Sequence, residues 1–137
     1  TTATISVSSN IMSYPTSINK SMTMKKLASC HGLDETSGLN SKKFTATTAV
    51  VLVLNTEGTA AKASKVYMRN TGSDKANFFY VALNASAAAA DTAETIGRLH
   101  GGDWMLIPWA ASAASHNITV APNTAEPMTI EWMVFVE

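Results

Sequence analysis

Leu99-His100-Gly101-Gly102-Asp103-Trp104-Met105-Leu106-Ile107-Pro108-Trp109, then Asn117-Ile118-Thr119-Val120-Ala121, then Met128-Thr129-Ile130-Glu131-Trp132-Met133-Val134-Phe135-Val136-Glu137, is the stretch that decides the fold. It reads as three successive strands. Gly101-Gly102-Asp103 supplies a positive-φ turn ahead of the first strand, and Pro108, which has no N–H for a ladder, ends that strand or lies on an edge. The three are expected to form the closing edge of an all-β domain.

Working back toward the N-terminus, the same strand-and-turn pattern continues. Thr2 to Ser8 alternates strictly, with Ala3, Ile5 and Val7 on one side and hydroxyl residues on the other, as in a half-buried strand. Ser9 to Asn19, with Pro15, is expected to be a loop or extended arm, and Met22, Met24 and Leu27 flank a second strand. Cys30 to Ser41 is read as a loop. Phe44 to Leu54 is expected to be one long strand, buried on both faces toward its end. Asn55 to Thr59 marks a turn, and Lys65 to Asn70 with Asn77 to Leu83 reads as a hairpin.

The alanine run Ala85 to Ala90 lacks an apolar stripe, so a short helical turn or ordered loop is expected there, with a further strand over Thr95 to Leu99. Eight or nine strands at even spacing predict a single-domain all-β sandwich of jelly-roll type. Residues 1–19 form its N-terminal strand or arm, and residues 20–137 the sandwich. The expected core is Ile5, Val7, Val51, Val53, Val66, Met68, Val81, Leu106, Ile130, Trp132 and Val134.

Charge narrows the function. The 137 residues carry 10 Lys plus Arg and 10 Asp plus Glu, a charged fraction of 15% against 46% hydrophobic residues. Scattered basic residues and zero net charge argue against a nucleic-acid partner. A surface of Thr, Ser, Asn and Ala is easier to desolvate than one of ions, which suits a protein packed against neighbours. No apolar run is long enough to span a bilayer, and no basic stretch leading into an apolar run opens the chain. A protein made in the cytoplasm, with no membrane partner, is the expectation.

Enzymatic readings find little support. Cys30, the one cysteine, reads as a small buried hydrophobe. Gly102-Asp103, Pro108 and His116 are similar to the second motif of the cupins, but the His-x-His pair and carboxylate of a cupin metal site are missing around His31 and His100. No Gly-x-Ser-x-Gly elbow or phosphate-cradling glycine loop is present. No catalytic residue, metal or cofactor is expected, and a cupin-like metalloprotein ranks last among the readings.

Phe78-Phe79-Tyr80 must face both sides of a sheet, so one side needs a cover or a partner. A sugar-binding platform would pair exposed aromatics with a planar array of polar or charged groups, which the sequence does not place. Core or interface packing is therefore the expectation for the aromatics, and the methionines are read as core filler.

Val66-Tyr67-Met68-Arg69-Asn70-Thr71, the Leu99 to Pro108 stretch, Ile118-Thr119-Val120 and Ile130 to Phe135 together resemble small capsid cement or decoration proteins of tailed bacteriophages. The resemblance covers about the last seventy residues and is one of style, without a diagnostic motif. It implies a non-enzymatic virion protein on the capsid surface, assembled in the host cytoplasm. Its partners would be the major capsid protein and copies of itself. Interface candidates are Ile5, Val7, Ile11, Tyr14, Phe79 and Trp109. The alternatives are a tail or fibre subunit, or a carbohydrate-binding head marked by an exposed Trp or Tyr pair in a shallow groove.

Overall fold

A computed structural model describes residues 35–58, 62–83, 95–111 and 116–136 in full, and residues 2–9 and 16–23 as backbone strands. It divides into two units, Thr1–Asp34 and Glu35–Glu137. In the first, β1 (Thr2–Ser9) pairs antiparallel with β2 (Thr16–Thr23), from Thr2 opposite Thr23 to Ser9 opposite Thr16. The stretch expected to be an arm thus contributes residues 16–19 to a strand. The division falls at Asp34, while a boundary at Asn19 would fall inside β2.

The second unit holds β3 (Glu35–Thr36), β4 (Asn40–Phe44), β5 (Val50–Val53), β6 (Ser64–Asn70), β7 (Phe78–Leu83), β8 (Thr95–His100), β9 (Trp104–Trp109), β10 (Ile118–Pro122) and β11 (Met128–Val136). These form two antiparallel sheets. One has the order β3-β11-β6-β9 with β4 also on β11, and the other β5-β10-β7-β8. The chain is an all-β sandwich. Its core lies between the sheets, where Val66, Met68, Ile130 and Val134 of one meet Val53, Phe79, Val81 and Val120 of the other. Phe44 and Phe79 meet edge to face across the gap, ring centroids 5.3 Å apart.

Several expectations are corrected. Phe44 to Leu54 is two strands, because the exposed residues 45–48 carry the chain from one sheet to the other. Lys65–Asn70 and Asn77–Leu83 do not form a hairpin either. The backbone N–H of Asn70 donates to Asp103 O (3.0 Å) and that of Thr71 to Thr129 O (3.0 Å), whereas Asn77 O accepts from Gly101 N (3.1 Å), so β6 and β7 enter different sheets. Nor do the last strands close an edge. β10 lies between β5 and β7, β11 between β3/β4 and β6, so both are central, paired along both edges, and their side chains are largely buried. Among the described residues β9 is an edge strand of the five-stranded sheet, which explains how Pro108 is tolerated inside it.

Gly102 adopts φ 82° in the turn before β9, as its sequence demands, and that turn passes between sheets. Asn55–Glu57 forms a short 3-10 turn, closed by the Glu57 carboxylate accepting from Leu54 N (3.0 Å). Of the expected core, Val53, Val66, Met68, Val81, Ile130 and Val134 are buried, and Trp132 packs against them half-buried. Leu106 faces outward instead, since its neighbours Met105 and Ile107 take the inward positions. Val51 is half-exposed because a register shift against Ile118/Thr119 inserts Leu52, turning Leu52 and Val53 both inward. The side chains of Ile5 and Val7, the alanine run, Cys30 and His31 lie outside the described residues.

Candidate functional site

Strand periodicity builds an outer face on the five-stranded sheet. In β6 the buried residues are Ser64, Val66, Met68 and Asn70, which sends Lys65, Tyr67 and Arg69 outward. In β9 the same alternation sends out Trp104, Leu106 and Pro108, and in β11 Glu131 and Met133. The register then fixes the rows. Glu131 stands opposite Arg69 and Arg69 opposite Trp104, while Met133 stands opposite Tyr67 and Tyr67 opposite Leu106. Ser41 of β4 extends the first row, as the partner of Glu131.

Two aromatic rings dominate this face. Tyr67 and Trp104 lie 6.5 Å apart between centroids, tilted by 32°, and Trp104 is 44% exposed. Beside them, on neighbouring strands, stand a guanidinium, a carboxylate and a hydroxyl. The face can therefore hold a flat apolar surface by stacking and satisfy polar groups at its margin.

The outer face of the other sheet carries a second cluster. Phe78 and Tyr80 meet edge to face at 5.0 Å, and the Arg98 guanidinium carbon lies 5.0 Å from the Phe78 centroid and 5.5 Å from that of Tyr80. The His100 ring sits 4.9 Å from Phe78, with Nδ1 2.8 Å from Lys75 O. Asn123 holds the end of β7, its Oδ1 accepting from Phe78 N at 2.8 Å. Lys75 and Asp103 form an exposed ion pair at 3.0 Å.

A third feature is a mostly apolar pocket of about 430 Å³ lined by Leu83, Ile96, Ile107, Pro108, Trp109 and His116, among others. The Trp109 indole N–H donates to His116 O at 2.6 Å. Among the described residues, no three His, Cys, Asp or Glu side chains converge as a metal site would require. His116, the residue of the cupin-like motif, lines this pocket beside Trp109 and Ile107.

Of the interface candidates, Phe79 is fully buried and Trp109 is 5% exposed, both in the core of their own chain. Neither offers surface to a partner. Ile5 and Val7 lie on β1, and Ile11 and Tyr14 fall outside the described residues. Parity could have corrected the two core aromatics. Trp104 and Trp109 are five residues apart on one strand and must face opposite sides, so burying Trp109 exposes Trp104. Likewise a buried Phe79 turns Phe78 and Tyr80 outward.

No protein-family model matches the chain, and no curated protein matches it. Among solved structures, the crystal structure of the Yersinia pseudotuberculosis-derived mitogen (YPM) is similar over 75% of this chain and 86% of its own, at 11% identity and a TM-score of 0.44. A likeness at that level assigns neither a family nor an activity.

Proposed function

We propose that the chain is a non-enzymatic virion subunit of a tailed bacteriophage that binds and stabilises the capsid by clamping neighbouring subunits. The observation that carries this reading is the N-terminal hairpin. Among the described residues β1 and β2 pair only with each other, and an isolated two-stranded sheet is marginal in water. Its register sets Ala3 opposite Met22, Ile5 opposite Lys20 and Val7 opposite Ile18, and a hairpin of this kind gains stability by adding to the exposed sheet edge of a neighbouring chain. The partners on this reading are the major capsid protein and further copies of the chain.

The sandwich is proposed to be of jelly-roll type. Its support is the strand order: β4, β5, β6 and β7 alternate between the two sheets, and so do β8, β9, β10 and β11. Two such four-strand sets folded together are the double Greek key of a jelly roll, an architecture common in viral capsid domains.

Deleting residues 1–34 tests the reading. The remaining sandwich is expected to fold, with the near-ultraviolet signal of its tryptophans retained, and to lose co-sedimentation with capsids. Undiminished capsid binding by the shortened chain would overturn the role of the hairpin. A full-length chain that stays monomeric at high concentration and never co-purifies with particles would overturn the virion role itself.

A further inference from the structure

We infer that the outer face of the five-stranded sheet is a saccharide-binding site centred on Tyr67 and Trp104. A pyranose ring presents one face of C–H groups and a rim of hydroxyls, so it needs a flat aromatic surface with donors and acceptors beside it. Tyr67 and Trp104 supply the surface, tilted 32° and 6.5 Å apart. Arg69 stands between Glu131 and Trp104 in the ladder, and Ser41 lies beyond Glu131. Hydroxyl, carboxylate, guanidinium and indole thus follow one another on four adjacent strands, a row of about 14 Å at the usual strand spacing. That length matches two to three linked sugar rings.

The chemistry of the row also argues against its being the buried centre of a protein interface, where charged residues are depleted. Covering Arg69 and Glu131 with apolar side chains would strip two charges of water without replacing their hydrogen bonds. A polyhydroxyl ligand replaces those bonds, because each hydroxyl both donates and accepts. Opposite charges side by side leave the row without net charge, so the ligand is a neutral saccharide. This site is independent of capsid binding, since it lies on the sandwich and makes no use of the hairpin.

The test uses the isolated full-length protein and three probes: cellotriose, maltotriose and chitotriose. Tryptophan fluorescence and amide shifts are followed during titration. At least one trisaccharide is expected to bind with a dissociation constant of about 1–10 mM, with shifts confined to residues of β6, β9 and β11 around Tyr67 and Trp104. Trp104→Ala should weaken it by about tenfold or more, Trp104→Phe by less, and Arg69→Gln to an intermediate degree. Trp104 is exposed, so these variants should keep the amide spectrum of the folded chain. No binding of any of the three at about 50 mM overturns the site, as does binding that maps to the Phe78 and Tyr80 face. If Trp104→Ala abolishes capsid co-sedimentation while sugar binding is unchanged, the face belongs to a protein partner and the inference is likewise overturned. Failure of the sugar titration leaves the hairpin experiment untouched, and the reverse also holds.

Discussion

Asn70, at the end of β6, donates its side-chain N–H to the carbonyl oxygen of Leu99 in β8 at 3.1 Å, joining the two sheets through a buried hydrogen bond. The same amide reaches Asn77 O at 3.3 Å, and its Oδ1 accepts from Gly72 N at 3.0 Å. Its backbone carbonyl accepts from Gly102 N at 3.0 Å. One asparagine therefore fastens two loops at one end of the sandwich.

Asn70→Ala removes every side-chain bond in that set and leaves Gly72 N without its partner. A loss of about 1–3 kcal/mol is expected, the penalty for unsatisfied buried groups. Asn70→Asp should be at least as damaging, because it keeps the acceptor but loses the donor to Leu99 O and buries a charge. Urea denaturation measures both. An unchanged midpoint for Asn70→Ala would show that the inter-sheet bond contributes nothing.

Two adjacent glycines in the same region should respond differently to alanine. A Cβ at Gly101 would land on the backbone carbonyl of Asp74, which has no rotamer by which to retreat, whereas at Gly102 it would meet Gly72 O and Lys75 Nζ at an ordinary 3.8 Å but at φ 82°. Gly102→Ala is expected to cost about 1 kcal/mol of backbone strain, and Gly101→Ala more, with a local shift of the 71–77 loop. Thermal melts of the pair give the order. Equal costs would mean that the loop moves aside freely.

The local signals legible in the sequence were those whose physics is local. The Gly102 turn, the β6 and β11 alternation and the strandedness of the Ile118 to Ala121 run need only neighbouring residues. What eluded the sequence was the partner of each strand. Lys65 to Asn70 and Asn77 to Leu83 resemble a hairpin in spacing, and only long-range bonds such as those from Asn70 to Asp103 and Thr71 to Thr129 separate them into two sheets. The candidate site was half legible for the same reason. Trp104 was visible as an aromatic, but Arg69 beside it and Glu131 beyond Arg69 lie 35 and 27 residues away in the chain and join its row only through register.

The Lys75–Asp103 pair tests how little an exposed ion pair contributes. Its side chains are 70% and 43% exposed, so Lys75→Ala should change stability by less than about 0.5 kcal/mol. Asp103→Ala should cost more, about 1 kcal/mol, because Oδ2 also accepts from His100 N at 3.2 Å and caps the end of β8. Adding salt should weaken the wild type only slightly. A Lys75→Ala loss as large as that of Asp103→Ala would assign the energy to the ion pair after all.

Arg98 offers the sharpest measurement on the opposite sheet. Its guanidinium lies within 5.5 Å of both the Phe78 and Tyr80 centroids, and Tyr80 is its direct partner in the β7–β8 ladder. The attraction of a cation to a half-exposed ring is worth about 0.5–1 kcal/mol, and it depends on the ring face rather than on the phenolic hydroxyl. Tyr80→Phe should therefore leave the coupling to Arg98 intact, while Tyr80→Leu should remove it. A double-mutant cycle between Arg98→Ala and Tyr80→Leu is expected to give a coupling near that range. Arg98→Lys keeps the charge but loses the planar guanidinium that reaches both rings, so it should retain only part of the coupling. Zero coupling in the leucine cycle would mean that the guanidinium is held by strand pairing alone and that the rings contribute only their area.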